Sequence, residues 1–116
     1  MPAEHDHALD RTLTALADPT RRAIVEQLRR QSLRPSELAD TLAISRPAIS
    51  RHLRVLREAG LVDQEVSGDD ARARPIQLRG EPLADLRGWL QDLEGFWHEQ
   101  LAAFKAHVEK PKGRRR

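Results

Sequence analysis

The run from Ser45 to Arg54, Ser-Arg-Pro-Ala-Ile-Ser-Arg-His-Leu-Arg, is the densest set of side chains in this chain able to engage a polyanion. Ile49, Leu53 and Leu56 recur at i, i+4 and i+7, the spacing of one buried helix face. With that face inward, helical geometry sends Arg46, Pro47, Ser50, Arg51 and Arg54 to the outer side. A guanidinium is a planar fork of donors that matches guanine O6 and N7 and also phosphate oxygens. A helix start adds free N–H groups and partial positive charge. Arg46, Ser50 and Arg51 are therefore the candidates for base edges, and Ser45, His52 and Arg54 those for phosphates, which position a helix without reading sequence. His52 adjoins Leu53, so a partly buried structural role is equally open to it.

The elements that must hold these residues follow from caps and periodicity. Ser45 is placed as an N-cap, Pro47 sits in the first turn, and Gly60 ends the helix. Just before it, Pro35-Ser36-Glu37 opens a short helix with Leu38 and Leu42 inward that breaks near Ala43-Ile44. A short helix, a tight break and a second capped helix make a helix-turn-helix, whose second helix enters the DNA major groove with its N-terminal residues at base edges. Upstream, Leu9, Leu13 and Leu16 mark a first helix that stops at Asp18-Pro19. Asp18 then caps a second helix with Pro19 at its first position and Ile24 and Leu28 buried, running to about Gln31. Arg21 and Arg22, at its start, are in reach of a DNA backbone or simply solvated.

Past Gly60, Leu61 to Val66, the turn-like Ser67-Gly68-Asp69-Asp70 and Ala73 to Leu78 predict a hairpin, weakened by Pro75. From Glu81-Pro82 a long helix carries a wide apolar stripe through Leu86, Trp89 or Leu90, Leu93, Phe96 or Trp97, Leu101, Phe104 and Val108, and it is predicted to end before Pro111. The expected architecture is mainly α with a small β-hairpin wing, a winged helix-turn-helix over residues 1–109, followed by a disordered basic tail over 110–116.

Composition narrows the function. Hydrophobic residues make up 39% of the 116 and charged ones 33%, and no apolar run approaches the length of a bilayer span. The acidic, polar N-terminus does not read as a secretory signal, so a cytoplasmic protein is expected. There is no cysteine, which excludes disulfides, thiolate metal sites and cysteine nucleophiles. The net charge of +2 hides an uneven distribution: residues 20–60 carry +5 and 110–116 another +5, whereas 1–19 carry −3 and 81–109 carry −4. A basic centre between acidic helices suits a phosphate-facing surface. No glycine-rich phosphate loop and no nucleophile–base arrangement can be found, so an enzyme is not expected. Nothing implies a cofactor or identifies an inducing ligand.

The segments Leu16 to Val25, Glu37-Leu38-Ala39 and Ser45 to Val62 together resemble the ArsR/SmtB-type winged-helix regulators, and the resemblance extends over about residues 9 to 108. It implies a homodimer that represses transcription by occupying an operator. Three departures stand out. Ala43 replaces a common turn glycine, at a cost on the order of 1 kcal/mol if the backbone is left-handed. Ile76 takes a wing position that is often aromatic, and Asp69 and Asp70 at the wing tip would repel phosphate, leaving Arg72 and Arg74 to reach a DNA backbone. The third helix reads Leu38-Ala39-Asp40 where the family's metal-binding cysteine pair would lie, so the resemblance is to a branch without that site.

Two tryptophans and two phenylalanines on a final helix need burial that a small core does not supply. Trp89, Leu93, Phe96, Trp97 and Phe104, with Leu9, Leu13 and Leu16 of the first helix, are the expected twofold interface with a second copy. Such a dimer suits a palindromic operator. Two alternatives share the fold. One is a metal-responsive repressor using His5, Asp6, His7, His98, Glu99 or His107, although His98 and His107, nine residues and so two and a half turns apart, do not share a helical face. The other is a winged helix that binds protein, with its basic helix merely solvated.

Overall fold

The computed structural model describes residues 3–63 and 74–114. It divides into two units, Met1–Asp85 and Leu86–Arg116. Four helices build the first: α1 (Ala3–Leu16), α2 (Pro19–Arg30), α3 (Pro35–Leu42) and α4 (Arg46–Glu58). A fifth, α5 (Glu81–Arg114), begins in the first unit and forms the whole described part of the second.

Each helix of the first unit starts and stops for a visible reason. The Asp18 carboxylate accepts from the Arg21 N–H at 3.0 Å, and Pro19 opens α2, where a missing N–H costs nothing. At the start of α3 the Glu37 carboxylate reaches back to accept from the Arg34 N–H at 2.8 Å. Ala43 ends that helix at φ 55° and ψ 46°, the left-handed conformation. The Ile44 N–H then donates to the Ala39 carbonyl at 3.0 Å, closing the wide terminal turn of a helix that stops abruptly. Gly60, at φ 76°, does the same for α4, with Leu61 N–H donating to Leu56 C=O at 2.9 Å.

The core gathers one apolar face from each helix. Ile24 and Leu28 of α2, Leu38 and Ala39 of α3, and Ile49, Leu53 and Leu56 of α4 are buried together with Leu33, Leu61, Val62 and Ile76. The sequence patterns of α2 and α4 predict this assignment. In α1 the outcome differs in part. Thr12 and Ala15 are buried, Leu16 packs against the core, Leu9 is half-buried and Leu13 is exposed. The buried Thr12 hydroxyl donates to the Ala8 carbonyl at 3.1 Å, so burial leaves its proton satisfied.

Among the described residues the β structure consists of isolated antiparallel bridges, Val62 with Leu78 and Leu33 with Ile76. The first joins the two predicted hairpin arms. The turn at Ser67 to Asp70, and with it Arg72, lies outside the described residues. The second bridge has no counterpart in the sequence patterns: Leu33 and Ile76 exchange both hydrogen bonds, N···O 2.6 and 3.3 Å. Ile76 is a core residue for that reason.

The helix end expected before Pro111 is corrected: α5 runs on to Arg114. Proline inside a helix removes one hydrogen bond and disfavours the preceding helical residue, but it does so here in the last turn, where the helix has little left to lose. Arg115 and Arg116 lie outside the described residues. At its other end, Glu81 accepts from the Arg79 guanidinium at 3.2 Å, which also lies 3.8 Å from Asp63. The Glu81 carboxylate is held below its ordinary pKa, chiefly by that Arg79 hydrogen bond.

Candidate nucleic-acid interface

Helix α4 presents the basic face its spacing predicts. Arg46, Pro47, Ser50, Arg51 and Arg54 are exposed while Ile49, Leu53 and Leu56, interleaved with them, are at most 1% exposed. Among the described residues, Arg46, Arg51 and Arg54 have no ion-pair or hydrogen-bond partner, unlike Arg29, Arg34 and Arg79, which are occupied by glutamates. Three unengaged guanidiniums on one rigid helix face are poised for an external anion. Ser45 accepts from the Ala48 N–H at 3.3 Å, and its own hydroxyl proton remains available to an outside acceptor.

His52 is the exception to that face. It is half-buried, its Nδ1 is 3.2 Å from an Arg21 guanidinium nitrogen and 4.0 Å from an Asp18 carboxylate oxygen. Arginine can only donate, so Nδ1 is the acceptor and the neutral ring carries its proton on Nε2. The ring therefore pins α4 to the start of α2 through its inner edge, and its Nε2–H is the donor left for any further partner.

Arg21 and Arg22 do work that the sequence reading missed. Arg21 donates through Nε to the Ala15 carbonyl at 2.8 Å and through Nη2 to the Thr14 carbonyl at 3.2 Å, and Arg22 donates to the Leu16 carbonyl at 2.8 Å. These are carbonyls of the last turn of α1, which have no partner within the helix. Cations placed there also oppose the negative end of the helix dipole. The signal was available: a pair of arginines five and six residues past the last residue of a helix, across a tight turn, is placed to turn back on its C-terminus. Asp18 sits in the same junction. Its pKa is lowered, first by the Arg21 N–H that it accepts, against a smaller opposing effect of burial, and further by the charge of Arg21.

Of the remaining predicted positions, Arg74 is exposed next to Pro75, outside the core that receives Ile76. On α5, Trp89, Leu93, Phe96, Trp97 and Phe104 are exposed, together with Leu90, Leu101 and Val108. Phe96 and Trp97 meet edge to face with ring centroids 6.1 Å apart. His7, His98 and His107 are exposed, and the His5 side chain lies outside the described set. Among the described residues no three histidines, aspartates or glutamates cluster as metal ligands.

A helix-turn-helix with an uncompensated basic second helix defines a DNA-binding regulator of transcription, and comparison with known proteins leads to the same class. The family described as bacterial regulatory protein, arsR family, matches residues 18–64. The HTH-type transcriptional regulator Rv2034 of Mycobacterium tuberculosis is 46% identical over 100 residues, covering 86% of this chain and 88% of that protein. The HTH-type transcriptional repressor SmtB of the same organism is 42% identical over 73 residues, 63% of this chain and 54% of its own length. Among solved structures, an ArsR-like transcriptional regulator from Rhodococcus sp. RHA1 superposes with a TM-score of 0.75 at 32% identity, over 95% of this chain and 98% of that one. The chain belongs to the ArsR family of helix-turn-helix transcriptional regulators.

Proposed function

We propose that this regulator is a homodimeric repressor that occupies a palindromic operator and competes there with RNA polymerase. The observation that carries the reading is the face of α4 on which Arg46, Ser50, Arg51 and Arg54 stand exposed and, among the described residues, unpaired, directly behind a helix start capped by Ser45. Arg46, Ser50 and Arg51, nearest that start, contact base edges. Ser45, Arg54 and the Nε2–H of His52 contact phosphates, and Arg72 and Arg74 extend the backbone contacts from the wing. The relative named a repressor supports the sign of regulation. Exposed apolar residues on α5, with Leu9 and Leu13 of α1, form the twofold interface, whereas Leu16 serves the core. Two recognition helices then address half-sites about one DNA turn apart, roughly 34 to 36 Å. No helix among the described residues is long and apolar enough to cross a membrane, which agrees with action in the cytoplasm.

The test is a fluorescence-anisotropy titration on the DNA upstream of the protein's own gene against shuffled DNA of the same length, near physiological salt. Preference for the native fragment with two subunits per site supports the reading. Equal and weak binding to both, erased by moderate salt, would place the operator elsewhere or leave the basic face without sequence preference, and would favour a protein-binding role for the fold.

A further inference from the structure

Each nitrogen of the Arg21 guanidinium has a partner within the protein. Nε donates to the Ala15 carbonyl at 2.8 Å and Nη2 to the Thr14 carbonyl at 3.2 Å, so the last turn of α1 holds the planar fork at two points. The backbone N–H of the same residue is given to Asp18 at 3.0 Å. With the fork held in its plane, the direction of Nη1 is set as well. It lies 3.2 Å from Nδ1 of His52, 31 positions further along the chain on the recognition helix. Arg22, the neighbouring cation, is exposed and donates to the Leu16 carbonyl instead.

Nδ1 of His52 has a second polar neighbour, the Asp18 carboxylate, whose Oδ2 is 4.0 Å away. The two neighbours make opposite demands on one nitrogen. A carboxylate only accepts, so pairing with Asp18 calls for a proton on Nδ1, whereas a guanidinium only donates, so pairing with Arg21 calls for a bare Nδ1. The distances, 3.2 Å against 4.0 Å, favour Arg21. A neutral imidazole has one proton to place, and a bare Nδ1 sends it to Nε2. With the guanidinium gone, Asp18 draws the proton to Nδ1, and Nε2 becomes an acceptor that a phosphate oxygen would not approach.

We propose that Arg21 is a positioning residue for operator binding: anchored on the end of α1, it holds the His52 ring with its proton on Nε2, so that α4 offers a phosphate a donor and not an acceptor. Arg21 touches no DNA in this arrangement and acts through His52. The proposal rests on the operator reading above and adds to it a residue from outside the helix-turn-helix.

Two measurements on the full-length protein test it. The first is the nitrogen-15 spectrum of the histidine rings without DNA, at about pH 8.5, where an ordinary imidazole is neutral. Bare and protonated ring nitrogens resonate far apart, and the His52 signals are those lost in His52→Gln. Wild type is expected to show a bare Nδ1 and a protonated Nε2, and Arg21→Ala a proton moved largely onto Nδ1. A proton on Nδ1 in wild type, or an Nε2–H that Arg21→Ala leaves untouched, would overturn the proposal, and the wild-type spectrum does so even if Arg21→Ala fails to fold. The second is operator affinity by anisotropy, at a temperature where circular dichroism finds each variant folded. Arg21→Ala is expected to weaken binding by a factor of about ten or more, the worth of a hydrogen bond to a charged acceptor. In a His52→Gln background, whose amide has no ring tautomer to set, the same change should cost nothing further. An equal loss in both backgrounds would overturn action through His52. A wild-type protein without operator preference would overturn the repressor reading and the phosphate role of His52 with it, and the ring spectrum distinguishes that failure from a failure of Arg21 to hold the proton on Nε2.

Discussion

Ala43 holds a left-handed backbone that an alanine adopts only at a cost, and it is exposed, so its methyl group contributes nothing to the core. Ala43→Gly should therefore stabilise the fold by about 0.5 to 1 kcal/mol, the strain relieved less the extra entropy of an unfolded glycine, which a urea titration would register as a higher midpoint. The opposite result would mean that the turn is rigid for a reason beyond its own conformation. Arg51 is exposed with no partner among the described residues, so Arg51→Ala should leave the thermal transition within about 0.5 kcal/mol of wild type. On operator DNA the same change should cost about 1 to 3 kcal/mol if the guanidinium grips a guanine, with discrimination lost at one base pair. A uniform loss on every sequence, with the salt dependence reduced by about one counterion, would reassign Arg51 to a phosphate.

At the scale of the helices, a charged cluster of Asp18, Arg21 and His52 sits at the junction of α1, α2 and α4. The Asp18 pKa lies below its ordinary 3.8 in the folded protein, so the unfolded chain takes up a proton first as the pH falls. The stability from Asp18 is accordingly full above the unfolded value and disappears as the pH drops through the folded one. Thermal melts between about pH 5 and pH 3 should show this loss, and Asp18→Asn, which keeps a capping oxygen without the charge, should flatten that part of the profile. An unchanged slope would move the acid sensitivity to other carboxylates. The helices α2 and α4 were readable in advance because cap, stripe and stop all lie within about a dozen residues, and so was the outward face of Arg46, Ser50, Arg51 and Arg54. What escaped depended on distant parts of the chain. The reach of Arg21 back to α1, the inward turn of Thr12 and Leu16, and the pairing of Leu33 with Ile76 are set by which surfaces meet, and periodicity carries no record of that. The extension of α5 past Pro111 failed for another reason: a strong local rule weakens at a helix terminus.

For the molecule as a whole, the distribution of charge separates what binds DNA from what does not. Arg46, Arg51 and Arg54, without partners among the described residues, share one face of α4, whereas the first half of α5 is acidic. Operator affinity should fall steeply with salt, by about the number of phosphates neutralised, whereas the proposed dimerisation through apolar side chains should depend on it far less. Sedimentation and anisotropy on one salt series would separate the two, and a dimer that dissociates in step with DNA release would contradict the division. The reciprocal bond between Leu33 and Ile76 also governs time. It clasps two residues 43 positions apart, so it fastens a long loop that contains both α3 and α4. Closing such a loop is entropically slow, and the two helices within it can nucleate without it. The clasp should form after the folding barrier is crossed. Ile76→Val, which trims a buried methyl at about 0.5 to 1.5 kcal/mol, should then leave the refolding limb of a chevron nearly in place and appear almost wholly as faster unfolding, making this one pairing a brake on how quickly the recognition helix is lost.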